Sequence, residues 1–243
     1  MPTVLITGIN GFVAVHTAVK YLENGWNVRG TVRSADKGDK AIALPVFKQY
    51  KDKIDYVIVE DLIKGDFSEA LKGVDAIAHC ASPWHFNGKK WAEYRDPAVQ
   101  GTTNILEQAA KVESKSTPVL RRSHSLVGVK NCAIVSSFAA VGDCVKPFAE
   151  QKGRVYTEDD WLPQTEEDCE KAEKDGKYVQ FYHHFYRILT SSPMAASLWY
   201  CASKKYAEIA AFETQKRVGA KYTLAAINPP STSSQPVLSS DRN

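Results

Sequence analysis

The β-branched run Thr3-Val4-Leu5-Ile6-Thr7 stops at Gly8, and a helical pattern opens a few residues later. This strand–glycine–helix start, spaced Gly8-x-x-Gly11-x-x-Ala14, restricts the possible folds more than any other feature. A strand that turns at once into a helix lays that helix back across its own sheet, and such crossovers are almost always right-handed. The alternation then continues. Helical periodicity over 13–23 closes at Asn24-Gly25. A strand is expected over 27–32, a helix over 36–50, a strand over 54–59, a short helix over 67–71, a strand over 74–79 and a long helix over about 90–111. Farther on come a strand over 131–135, a helix over 197–217 with Ser197 as its N-cap and Gly219 past its end, and a strand over 222–227. Apolar strands alternating with helices predict an α/β fold, a doubly wound parallel sheet with helices on both faces.

Composition narrows the function. The 243 residues, 44% hydrophobic and 24% charged, suffice for a sizeable core and exclude disorder, collagen or coiled coil as overall descriptions. No apolar run approaches the ~18 residues of a membrane span, and MPTVLITGING does not read as a signal peptide. No membrane partner is expected. A net charge of +3, evenly spread, predicts no nucleic-acid partner. The five cysteines form no CxxC pair. They read as reduced thiols of a cytoplasmic protein, with no metal site. The sequence does not separate a monomer from a homodimer.

The glycine turn carries chemistry as well as topology. Gly8 permits the tight turn, Gly11 lets backbone approach a pyrophosphate, and Ala14 keeps the helix close to the sheet. The helix start presents free N–H groups to phosphate. Thr7, Gly8, Asn10, Gly11, Phe12 and Val13 are therefore candidate dinucleotide contacts. The second strand ends Gly30-Thr31-Val32-Arg33-Ser34, with no acid to take the ribose hydroxyls of NAD. Arg33 and Lys37 instead offer positive charge to a 2′-phosphate, which selects NADP(H) as the cofactor. Asp61 and Leu62, after the third strand, would meet the adenine. Cys80, Ala81 and Ser82, after the fourth, would lie along the ribose and nicotinamide. His79 reads as structural.

Tyr200-Cys-Ala-Ser-Lys204 is the strongest local signal. Residues four apart on a helix share a face. A Lys cation about 4 Å from a phenol contributes about 4 kcal/mol at an effective dielectric near 20. That corresponds to a downward shift of roughly three pKa units, which would bring Tyr200 toward the working pH of a general acid–base group. The fifth strand ends Val135-Ser136-Ser137-Phe138, and a serine there can donate a hydrogen bond to a substrate carbonyl. Ser137, Tyr200 and Lys204 form the candidate catalytic set.

At this point a family resemblance appears. The segments VLITGINGFVA, VRGTVRS, HCASPW, DPAVQGTTNIL, VSSFAAV, YCASKKYAE and LAAINP span nearly the whole chain to Pro229. With them the chain resembles the extended short-chain dehydrogenases/reductases, in the branch of dihydroflavonol reductases and fungal NADPH-dependent aldehyde, ketone and methylglyoxal reductases. The resemblance implies a Rossmann-type domain over 1–230. It also implies a small carbonyl or alcohol substrate that receives hydride from NADPH and a proton from Tyr200. Lys204 would lower the tyrosine pKa and bind the nicotinamide ribose, and Ser137 would orient the carbonyl. Asn228 and Pro229 would close the cofactor site, while Trp84, Phe86 and Phe138 would line the substrate pocket. Two alternatives stay open: a truncated, non-catalytic NADP-binding protein, and a sugar-nucleotide epimerase or steroid-type dehydrogenase with the same triad.

Three departures from the family pattern stand out. Irregular stretches fall at about 112–128 and 178–196, and after Pro230 a polar serine-rich stretch, expected to be a disordered tail, occupies 231–243. The family's C-terminal substrate-binding region is expected to be largely missing. Translated introns or a frame change would account for all three.

Overall fold

The computed structural model describes residues 1–82, 88–114, 128–143, 146, 148–175 and 194–230. Its strands are β1 (Thr3–Thr7), β2 (Asn27–Val32), β3 (Ile54–Ile58), β4 (Ala76–His79), β5 (Asn131–Val135) and β6 (Thr223–Ile227). All neighbours pair in parallel, in the order β3-β2-β1-β4-β5-β6. The order reverses between β1 and β4, which is where an open α/β sheet has its crevice. The helices are α1 (Phe12–Glu23), α2 (Ala35–Ile42), α3 (Ala92–Ser114), α4 (Glu166–Asp175) and α5 (Met194–Arg217). The expected doubly wound α/β architecture is thus observed.

Successive residues of β1 serve different cores because side chains alternate across a strand. Val4 and Ile6 pack with Ala14, Val15, Ala18 and Leu22 of α1. Leu5 packs on the other face with Ile77, Ile105, Leu106 and Ala211, which involves α3 and α5. All three strand residues have no exposed surface, and burying each such side chain is worth about 1.5–3 kcal/mol. A third cluster stands apart from the sheet. It joins Trp91 and Tyr94 to Leu162, Cys169 and Ala172, and to Ala196, Leu198, Trp199, Cys201 and Ala202 of α5.

Several expected boundaries are corrected. The helix expected over 36–50 ends at Ile42 and is followed by a 3-10 stretch, Pro45–Lys53. Proline disfavours helix at the residue before it and supplies no N–H. The short helix expected over 67–71 is a series of turns. Asp66 accepts hydrogen bonds from the Ser68 amide and hydroxyl, and Leu71 N–H donates to Phe67 O. Ser197 is not an N-cap, because α5 already runs from Met194 and Ser197 is buried within it. The Ala195-Ala196 pair favours helix, and Ala196, Leu198 and Trp199 gain burial there. The irregular stretches are likewise trimmed, since 112–114 belong to α3 and 194–196 to α5. Residues 115–127, 176–193 and the polar stretch from 231 lie outside the described residues.

Candidate active site

The crevice is built from the carboxyl ends of β1, β4 and β5. Gly8 turns the chain with φ of +68°, a conformation that side-chain-bearing residues rarely adopt. A Cβ there would stand 3.2 Å from the Ala81 Cβ, so the glycine also lets the turns after β1 and β4 lie against each other. At Gly30 a Cβ would stand 2.5 Å from the Ile9 side chain, so glycine makes room for the turn on its β2 side. The helix α1 starts after Gly11, and no side chain caps it. Its first amides therefore remain open to a ligand phosphate. Thr7, Asn10, Phe12 and Val13 stand at this turn as expected. Phe12 is partly exposed, edge-on to His16 at 4.7 Å.

The end of β2 suits a phosphate as well. Arg33 is exposed and Lys37 half-buried, and neither is in an ion pair with a described residue. The nearby acid Asp36 is paired with Lys40 at 2.9 Å. No carboxylate occupies the end of the strand, and Ser34 begins α2 without a side-chain cap. An uncapped helix start beside two available cations fits the 2′-phosphate of NADP(H).

The two residues expected at the adenine also shape their own loop. Asp61 closes its own turn, its carboxylate accepting from Ile63 N–H at 2.7 Å and Lys64 N–H at 3.4 Å. Leu62 packs against Gly101 of α3, and its carbonyl accepts from Asn104 at 3.0 Å. Both Asp61 bonds use Oδ1, so Oδ2 takes no part in the turn.

Ser137, Tyr200 and Lys204 are brought together. Tyr200 and Lys204 lie on one face of α5, with Lys204 Nζ 5.8 Å from the centre of the phenol ring. Ser137 is hydrogen-bonded to the phenol. Its Oγ also accepts from Ala139 N–H at 3.2 Å, which leaves the hydroxyl hydrogen for the phenol oxygen. The electrostatics differ from the sequence expectation. Burial pushes the Tyr200 phenol up to about 12, the neighbouring Cys201 adds to the rise, and the Ser137 bond opposes it. Burial likewise pushes Lys204 down to about 8. At 5.8 Å from the ring centre the ammonium is too far to offset the phenol's desolvation, so the expected lowering is absent.

Cys80, Ala81 and Ser82 follow β4 as expected. Burial raises the Cys80 thiol to about 11, against the pull of a hydrogen bond with Thr17 and of the Lys204 charge. Asn228 and Pro229 extend beyond β6 beside the serine. Phe138 N–H donates to Pro229 O at 3.1 Å. The Asn228 amide donates to Ser137 O at 3.3 Å and to the Glu208 carboxylate at 2.9 Å. Phe138 stacks edge-on with Tyr156 at 5.1 Å and covers Gly142. Trp84 and Phe86 lie outside the described residues.

The sequence reading missed two supports. Glu208 sits one further turn along the face of Tyr200 and Lys204, and its i, i+4 spacing was a readable signal. Lys205 points the other way and ties α5 to the segment before α4. Its ammonium donates to Leu162 O at 2.8 Å and Gln164 O at 2.9 Å. Nothing local in the sequence announces those carbonyl partners. Among the described residues no grouping of three or more His, Cys, Asp or Glu could hold a metal, and no helix is long and apolar enough to cross a membrane.

The chain is similar to known proteins. An oxidoreductase of Schizosaccharomyces pombe, itself uncharacterised, is 37% identical over 237 residues, covering 96% of this chain and 59% of its own length. Aldehyde reductase 2 of Sporidiobolus salmonicolor is 33% identical over 228 residues, 93% of this chain and 56% of that protein. The crystal structure of yeast methylglyoxal/isovaleraldehyde reductase Gre2 complexed with NADPH matches with a TM-score of 0.68 at 28% identity. That match covers 94% of this chain and 57% of the yeast one. The chain therefore spans less than two thirds of the length of these relatives. Residues 4–157, more than half of the chain, match a single family profile, and the chain belongs to the NAD dependent epimerase/dehydratase family.

Proposed function

We propose that the chain carries the cofactor domain and catalytic groups of an NADPH-dependent reductase of aldehyde or ketone carbonyls. The observation that carries this reading is the convergence of Ser137, Tyr200 and Lys204 beside the glycine turn, with Arg33 and Lys37 available at the end of β2. The names of the relatives, an aldehyde reductase and a methylglyoxal/isovaleraldehyde reductase crystallised with NADPH, agree with it.

Each residue has a defined task. The open amides of α1 would hold the pyrophosphate, and Arg33 with Lys37 would hold the 2′-phosphate. When bound, NADPH supplies the hydride that adds to the carbonyl carbon. Ser137 turns its hydroxyl hydrogen from the phenol to the carbonyl oxygen and fixes its direction. Tyr200 gives that oxygen its proton, so that an alcohol and NADP⁺ result. Lys204 stabilises the phenolate left behind and draws on its own proton to restore the phenol. A phenol near 12 holds its proton at neutral pH but gives it up reluctantly.

The test is NADPH consumption by the 243-residue chain across a panel of aldehydes and ketones, beside Tyr200→Phe. Turnover that disappears in the variant supports the assignment, and turnover that persists unchanged refutes it. A second reading, cofactor binding without turnover, draws on the raised phenol. NADPH binding with no turnover on any carbonyl would favour it.

A further inference from the structure

His79 closes β4 and is buried, yet neither hydride nor proton transfer involves it. Both ring nitrogens face threonines. Nδ1 is 2.9 Å from Thr7 Oγ1, at the end of β1, and Nε2 is 3.4 Å from Thr102 Oγ1, on α3. The two hydroxyls have further partners. Ala81 N–H donates to Thr7 Oγ1 at 2.9 Å, and Thr102 Oγ1 donates to Ala98 O at 2.8 Å.

Hydrogen counting fixes the tautomer. Thr102 has one hydroxyl hydrogen, and Ala98 O receives it. Its oxygen can then only accept from His79, so Nε2 must carry the ring hydrogen. Nδ1 is left bare and accepts the Thr7 hydroxyl hydrogen, while Thr7 Oγ1 accepts from Ala81 N–H. Every donor in the chain Ala81–Thr7–His79–Thr102–Ala98 then has one acceptor. The opposite tautomer sets two bare lone pairs, on Nε2 and Thr102, against each other and leaves the Thr7 hydrogen without this acceptor. Burial and the nearby Lys204 charge keep the ring neutral, pushing its pKa down to about 4.

We propose that His79, held as the Nε2–H tautomer, is a positioning residue that pins the turns after β1 and β4 to α3 and so sets the crevice between Gly8 and Ala81 in which the cofactor lies. The assignment of a cofactor to that crevice rests on the function proposed above. The tautomer does not. A structural histidine filling space would need neither a fixed ring hydrogen nor both threonines. This one joins two backbone turns that lie against each other at Gly8 and Ala81, beside the open amides of α1.

The test has two arms. In chain labelled with nitrogen-15 at histidine, the ring signals lost in His79→Asn identify His79. At neutral pH the wild-type spectrum is expected to show hydrogen on Nε2 and a bare Nδ1. Hydrogen on Nδ1, or averaging between the two, would overturn the proposal whether or not the chain binds NADPH. The second arm measures NADPH binding and kinetics in Thr102→Val and Thr102→Ser. Loss of one buried hydrogen bond should raise the NADPH dissociation constant and KM roughly fivefold in Thr102→Val. The kcat at saturating NADPH should hold, and Thr102→Ser should restore binding. Unchanged NADPH binding in a folded Thr102→Val overturns the positioning role. If Thr102→Val fails to fold, Thr102→Ser and the tautomer decide: a serine variant that binds NADPH poorly, or the wrong ring hydrogen, counts against the proposal. If wild type binds no NADPH, the cofactor reading fails, and the positioning role fails with it, while the spectrum still judges the tautomer.

Discussion

Lys204 Nζ stands 5.8 Å from the centre of the Tyr200 ring, one helical turn away, with both groups largely buried and the phenol bound to Ser137. The proton of the phenol is therefore controlled locally. Tyr200→Phe should lower kcat on the order of 10²–10⁴-fold, the usual contribution of a positioned acid. The NADPH dissociation constant, read by fluorescence titration, should change little.

Lys204 gives a pH expectation. Burial lowers its pKa to about 8, so the ammonium is present below that value and lost as pH rises through it. NADPH binding to the cofactor-free chain should weaken above about pH 8. Lys204→Met should bind NADPH more weakly and lose that alkaline limb. A titration series from pH 6 to 10 on both proteins checks this.

Arg33 is exposed and carries no ion pair with a described residue, so its removal should leave stability nearly untouched. Charge-assisted hydrogen bonds contribute about 1.5–3 kcal/mol. Arg33→Ala should thus weaken NADPH binding roughly 10- to 100-fold and leave NADH binding as it was. The ratio of the two dissociation constants is the readout.

Asn228 donates to both Glu208 and Ser137. Glu208→Leu leaves that half-buried amide without its carboxylate and should cost about 1–3 kcal/mol, seen as an earlier urea midpoint. The variant should also lose kcat, because the amide then steers Ser137 less firmly. Glu208→Gln, which keeps an acceptor, should recover most of both.

Acid should destabilise the chain partly through His79. Its native pKa of about 4 lies below the ordinary 6.5, so on acidification the unfolded chain takes up a proton that the folded chain refuses. Stability is whole above pH 6.5 and falls as pH drops toward 4, by about 3 kcal/mol at 1.36 kcal/mol per unit. Urea midpoints at pH 7 and 4.5 should differ less in His79→Asn than in wild type.

The strand–helix alternation and the shared face of Tyr200 and Lys204 were legible because they rest on local patterns. β-Branched runs ending at glycine marked β1, and i, i+4 spacing put Tyr200 and Lys204 on one face. The start of α5 was not legible. Ser197 looks like a cap in isolation, but the tertiary burial of Ala196, Leu198 and Trp199 carries the helix back to Met194. The phenol's pKa was misjudged for a similar reason. Spacing gives a distance between charges, but the cost of burying the phenol depends on everything packed around it. Asp61 shows the same limit, since the turn its Oδ1 closes with Ile63 and Lys64 is not visible in the sequence.

The helix α5 belongs to two cores. Its first half, through Ala202, packs into the cluster of Trp91, Leu162 and Cys169, while Ala211 packs under the sheet. Tyr200 packs against the first of these clusters, as does Tyr206 beyond Lys204. The side chains proposed for proton transfer are thus held from two sides, Tyr200 by the smaller cluster and by Ser137 at the end of β5, so a packing change in either core would alter their spacing.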